Sequence, residues 1–452
     1  MEHRQQAHRD RGILRTFNRF FSNESSGGVL LLVCAITAVT LASIPGGEWF
    51  DRIWETVAGF EIGDFSMDMS LRHWVNDALM AIFFFSVGLE IKREMLAGQL
   101  SSFKKSILPI MAAIGGMLVP AAIYWAFNSG HPESIRGWGI PMATDIAFAI
   151  GILSLLGNRV PASLKVFLTA LAIADDLGAI IVLAIFYPTH AIHPEHLVYV
   201  GLVMAVLFLF NRLGVKEKYL YIIPGAAMWY FTYRSGIHAT IAGVFLAMTI
   251  PAGNRLDGIR FRDRISILLE KFKPSASRNY GILSSPEQQH VIHCIRTAVL
   301  DADPLLHRLE SSLHPIVTFV IMPVFALANA GVALDLSALA SGGLSPVTAG
   351  ILFGLLVGKP AGIFLFSFIG IRLKLASMPA GVTWKQLAAT GVLGGIGFTM
   401  SIFINNLAFA DPALVDIGKV SILITSALAA ILGLTAMSLS CRRGSAPLQI
   451  PD

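Results

Sequence analysis

Residues 171–181 read LAIADDLGAII, with two adjacent carboxylates, Asp175 and Asp176, inside an apolar run. An ionised group at bilayer depth costs at least ~2.5–3.5 kcal/mol on insertion scales. Two such neighbours therefore face a cavity, a partner or a task. On a helix, neighbouring side chains diverge by about 100°. They cannot share one partner, but one can meet a cation on another helix while its neighbour faces a water-filled funnel. Adjacent carboxylates raise one another's proton affinity, loss of water adds to it, and the titration belongs to the pair. Oxygens tuned in this way hold either a proton or a hard cation such as sodium.

The surroundings decide that the run crosses a bilayer. The 452-residue chain is 54% hydrophobic and 14% charged, where a soluble domain carries about a quarter charged residues. The mean hydropathy is +0.66. These values describe a polytopic membrane protein and argue against a large soluble enzyme or a nucleic-acid binder. A crossing needs about 20 mostly apolar residues. Twelve candidate stretches lie near 27–45, 73–90, 106–127, 139–156, 163–187, 197–212, 219–233, 236–252, 314–334, 345–371, 386–409 and 415–440. With the N-terminus placed in the cytoplasm, 28 of the 34 Lys and Arg residues fall on the cytoplasmic side and five outside, leaving Lys359 within a span. That asymmetry follows the positive-inside rule and places both ends inside. The expected organisation is a basic cytoplasmic tail (1–25), a twelve-helix body (26–440) with a polar cytoplasmic insertion (253–310), and a short cytoplasmic tail (441–452). The arginine-rich start, with Arg4, Arg9, Arg11, Arg15 and Arg19, has no signal-peptide cleavage pattern. Cys34, Cys294 and Cys441 form neither a metal-ligand spacing nor a disulfide framework.

Few other charges sit mid-span. They are Asp145 and Lys359, with Asp77 and Glu90 nearer the membrane faces. PMATDIAFAIG (141–151) sets Thr144 and Asp145 among Gly139, Pro141 and Gly151, which weaken a helix. GVLGGIGFTMSIF (391–403) places four glycines mid-span. Glycine also serves close helix packing, but irregular backbone at membrane depth lines a cavity or is buried in protein. The two segments are the second members of trios 3–5 and 10–12. Interruptions at matching places predict an inverted-repeat transporter with its site at the midplane. LLVGKPAGIF (355–364) brings Lys359. Paired with Asp175 or Asp176 it stays charged, and a pair that opens on protonation or cation binding is a coupling device.

ATDIAFAIGILSLLG (143–157), IADDLGAIIVLAIFY (173–187), SGIHATIAGV (235–244), LHPIVTFVIMPVFALANAGV (313–332), GKPAGIF (358–364) and GGIGFTMSIFI (394–404) follow in consistent order. In these motifs the chain, from about residue 25 to 440, resembles the NhaA-type bacterial sodium/proton antiporters. The resemblance implies an all-α membrane fold of twelve helices with crossed, interrupted helices 4 and 11. It also implies a homodimer in the bacterial inner membrane and no cofactor. The implied activity is exchange of cytoplasmic Na+ or Li+ for external H+, with more protons than sodium per cycle, serving pH and sodium homeostasis. Carried over by motif, Asp176 resembles the main sodium-binding carboxylate, and Asp175 the partner of Lys359 and a further sodium ligand. Asp145 resembles the acid near the helix crossing, and Thr144 a sodium-contacting neighbour of the ion path. Asp77, in WVNDALMAIFFFSVGLEIKRE (74–94), resembles an ion-path residue of lesser weight. Glu90, Arg93, Glu94, Glu310, His314 and His238 resemble residues of pH response. Read alone, the first three are a solvated cluster, and His238 is a packing histidine. The acidic segment 47–72 matches a hairpin that pairs protomers in the family.

Two rival classes fit less well. An intramembrane aspartyl protease needs carboxylates facing each other from different helices, and Asp175 and Asp176 share one. A cation channel calls for a charged ring or carbonyl filter repeated by symmetry, which the sequence lacks.

Overall fold

The computed structural model describes residues 24–62, 65–188, 193–253, 257–272, 286–332 and 344–441. Most of the basic N-terminal tail and nearly all of the C-terminal tail therefore lie outside the described residues. Helix α1 (Glu24–Ser43) and the short α2 (Glu48–Glu55) lead into an antiparallel hairpin of β1 (Val57–Ile62) and β2 (Phe65–Ser70). Its register runs from Val57 opposite Ser70 to Ile62 opposite Phe65. The segment expected to form a hairpin thus does so. Ser70 then caps α3 (Leu71–Leu96), its hydroxyl accepting the His73 N–H at 3.2 Å. A π-helical stretch occupies Trp74–Leu79.

Next come α4 (Phe103–Asn128) and a 3₁₀ segment (Ile135–Met142) that precedes α5 (Ile146–Ser154). They are followed by α6 (Ala162–Phe186), α7 (Pro194–Arg212), α8 (Tyr219–Arg234) and α9 (Ile241–Thr249). The insertion holds α10 (Gly258–Lys271) and α11 (Pro286–Ala302), which pack on each other. The body resumes with α12 (Leu305–Asn329) and α13 (Pro346–Arg372). It ends with α14 (Trp384–Gly394), α15 (Phe398–Ala408) and α16 (Pro412–Cys441).

Among the described residues nine helices are long and apolar enough to cross a membrane, or ten when α14 and α15, bent by 44°, count as one crossing. The remaining candidate stretches, 219–233 and 236–252, hold α8 with 16 residues and α9 with nine, each shorter than an 18-residue crossing. The chain breaks between them at Gly236, whose φ of 85° lies in the left-handed region.

Helices α4 and α13 pack extensively against each other. A Cβ built on Gly115 would collide with the Gly362 carbonyl, and one on Gly362 with the Gly115 carbonyl. The two backbones touch because neither residue has a side chain. This contact fixes α13, and with it Lys359, against the core. Replacing Gly362 with Val is expected to destabilise the protein by about 1–3 kcal/mol, the usual cost of overpacking. A lower midpoint of thermal inactivation in detergent would register the loss.

Candidate functional site

Two backbone interruptions meet in the core. Pro141 supplies no N–H, and the chain runs extended through Ala143 (ψ 148°) and Asp145 (ψ 99°) before α5 begins. In the other segment α14 stops at Gly394, and α15 restarts at Phe398. Gly395 permits this approach, since a Cβ there would lie 2.5 Å from the Leu355 carbonyl oxygen. The breaks are tied directly, as the Asp145 N–H donates to the Ile396 carbonyl at 2.8 Å.

Asp145 closes both helix starts. Its Oδ1 accepts the Phe148 N–H at 2.9 Å, capping α5. Its Oδ2 accepts the Thr399 N–H at 3.2 Å, and the Thr399 hydroxyl as well. One carboxylate thus sits at the positive ends of two helix dipoles. The opposite ends meet donors. Lys359 Nζ donates to the Met142 carbonyl at the end of the 3₁₀ segment. Thr144 Oγ1, whose one proton serves either Asp175 or the Gly394 carbonyl, lies 3.0 Å from that carbonyl at the end of α14. Ser401 Oγ ties the halves again, donating to the Ile140 carbonyl at 2.8 Å.

The acidic doublet on α6 faces this crossing. Asp175 and Asp176 are 2% and 1% exposed, and Lys359 is 1% exposed. Asp175 Oδ2 accepts from Lys359 Nζ at 2.6 Å and from Thr144 Oγ1 at 2.7 Å. The second oxygen is different. Oδ1 of Asp175 and Oδ1 of Asp176 are both buried without a hydrogen-bond partner among the described residues. Buried polar atoms are nearly always paired, so two bare carboxylate oxygens on adjacent residues call for an explanation. A proton or a hard cation would satisfy them. Three carboxylates and one ammonium, all buried, gather here, leaving an excess of acid.

The remaining sequence-singled residues fall into separate places. Asp77 is half-buried in the π-helical stretch of α3, where its carbonyl accepts from Trp229 Nε1 at 3.1 Å. Arg93 bridges Glu94 and Glu310, at 3.0 Å to each. Glu90 lies in the electrostatic reach of all three and of Asp176. Glu310 Oε2 is buried without a partner among the described residues. His314 is exposed on α12, four residues after Glu310. His238 is 2% exposed, with both ring nitrogens unpartnered among the described residues and its ring 5.8 Å from that of Phe403.

Two residues escaped the sequence reading. Thr399 was legible as a hydroxyl two residues past the glycine run, where a helix restart needs a polar partner. Lys92 was not. Its Nζ donates to the Met248 and Ile250 carbonyls, 2.6 Å each, closing the end of α9. Only the fold brings these segments together.

Fold and site together define a class: a multi-pass membrane protein that buries ionisable side chains at the meeting of two broken helices. The chain belongs to the Na+/H+ antiporter 1 family, whose model matches residues 18–437. The Na(+)/H(+) antiporter NhaA 1 of Clostridium beijerinckii is 46% identical over 421 residues, 93% of this chain and 94% of the relative. The Wolinella succinogenes Na(+)/H(+) antiporter NhaA is 43% identical over 95% of this chain and 94% of its own. That of Helicobacter pylori is 45% identical over 92% and 94%. A solved structure, the sodium proton antiporter MjNhaP1 from Methanocaldococcus jannaschii at pH 8, covers 93% of this chain and 92% of its own at 14% identity and a TM-score of 0.45. No residue is carried over from it. These relatives are named as antiporters, which are transporters and not enzymes.

Proposed function

We propose that this chain exchanges cytoplasmic Na+, or Li+, for external H+, with Asp175 and Asp176 as the shared binding groups. The observation that carries the reading is the pair of buried, unpartnered Oδ1 atoms beside the Lys359–Asp175 ion pair. With the site open inward and Asp176 deprotonated, sodium takes the bare oxygens, with Thr144 contributing its hydroxyl. The body rocks and sodium leaves outward. Protons then neutralise the carboxylates and return inward. Competition for the same oxygens makes the process an exchange. If more protons than sodium ions move, the membrane potential drives the cycle at about 2.3 kcal/mol per net charge per 100 mV.

The same proposal orients the protein. The chain crosses the inner membrane twelve times, α8 and α9 included, with both tails and the α10–α11 insertion in the cytoplasm, as the charge asymmetry supports. The trios of spans 3–5 and 10–12 form inverted repeats. The hairpin β1–β2 joins two protomers through its outer segment. Asp77 lies along the ion path. Glu90, Arg93, Glu94 and Glu310, with His314 and His238, set the pH at which transport starts. Arg93→Ala leaves the three acids without their shared cation, so the pH of half-maximal flux is expected to shift. An unchanged pH profile would remove the cluster from regulation.

The test is proton flux in everted vesicles pulsed with sodium, lithium or potassium over a pH series. Sodium and lithium are expected to drive proton movement and potassium is not. An equal response to all three salts, or to none, would overturn the reading.

A further inference from the structure

Three carboxamides stand in series across α3, α12 and α15. Asn406 Nδ2 donates to Asn329 Oδ1 at 2.8 Å. Asn329 Nδ2 donates to Asn76 Oδ1 at 2.8 Å and to the Phe325 carbonyl at 3.0 Å. Asn329 is fully buried. The series ends on Asn406 Oδ1, which is buried and accepts nothing among the described residues.

Amides between helices serve as glue in membranes. Glue accounts for the donors and acceptors that are paired. It does not account for an acceptor left bare, because an unmet buried oxygen opposes folding. The position adds a second argument. Asn76 directly precedes Asp77. Asn406 lies on α15, whose start is held by Asp145 at the crossing. In the proposed orientation α3 begins, and α12 and α15 end, toward the outer face. The series therefore occupies the outer half of the body, beyond the doublet. A carboxamide oxygen is a hard ligand of the kind sodium prefers.

We propose that Asn406 and Asn329 line the outer half of the ion route and lend their amide oxygens to sodium between the doublet and the external solution. This rests on reading the doublet as the ion site and on the orientation above. Sodium passing along the route gives Asn406 Oδ1 a partner. Asn76 holds the end of the series against α3.

The experiment uses the full chain with Cys34, Cys294 and Cys441 replaced by Ala, and Asn406→Cys added, in right-side-out vesicles. A small membrane-impermeant thiol reagent applied outside is expected to label position 406, and sodium to slow the labelling severalfold while potassium does not. In parallel, Asn406→Leu is expected to lower the maximal sodium-driven flux severalfold with little change in the sodium KM measured from the cytoplasmic side. Asn406→Ser, which keeps an oxygen, should lose less. If the parent shows sodium-driven flux but the thiol introduced by Asn406→Cys is unreactive, or reacts at a rate indifferent to sodium, the series is packing and the proposal is overturned. Equal flux losses in the Leu and Ser variants would do the same if Asn406→Cys does not fold. Absence of sodium-driven flux in the parent itself would overturn the antiport reading, a separate and distinguishable failure.

Discussion

Asp176→Asn is expected to abolish sodium-driven proton flux while the protein remains folded. The substitution keeps shape and volume and removes a charge from a site that is 1% exposed. An amide neither binds nor releases a proton at these pH values, so the exchange loses its currency. It also offers one oxygen in place of two, and its nitrogen is a donor where a cation needs a ligand. Folding is not expected to suffer, because an uncompensated buried carboxylate is itself costly. Everted vesicles at several pH values give the readout, and detergent thermal inactivation confirms the fold. A sodium response that survives in Asp176→Asn would displace this residue from the centre of the mechanism.

The second large effect concerns stability. In Lys359→Met the ammonium 2.6 Å from Asp175 disappears, and only the Thr144 hydroxyl remains on that oxygen. Removing one member of a buried ion pair costs about 3–5 kcal/mol, because the survivor is left charged in a dry place. The Met142 carbonyl also loses its donor. The expected result is a large fall in the inactivation temperature in detergent, together with loss of flux. Adding Asp175→Asn removes the stranded charge, so the double variant is expected to regain most of the stability and none of the transport. The pair is buried, so salt should change the difference little. A single variant as stable as the parent would contradict the pairing argument.

Much of this arrangement was readable from residue types alone. Carboxylates and a lysine in apolar runs are conspicuous because the bilayer makes them costly, and the glycine run at 391–397 announced a break that α14 and α15 display. The choice of Asp175 over Asp176 as the lysine's partner came from resemblance, since spacing says only that the two diverge. The crossing of the breaks depends on the Asp145 N–H reaching Ile396, a contact between residues 251 positions apart in the chain. Periodicity carries no information at that range. The same is true of Lys92, which in sequence is one more basic residue after a span and in the fold closes the end of α9. Helix lengths were the least legible. Hydropathy placed a stretch at 236–252, but the left-handed Gly236 and the turns after it leave a helix of nine residues.

The single carboxyl group of Asp145 has a mechanical consequence. It holds the first turn of α5 with one oxygen and the first turn of α15 with the other. A swing of either half-helix away from the other breaks a hydrogen bond to this carboxylate, so a single side chain couples their positions.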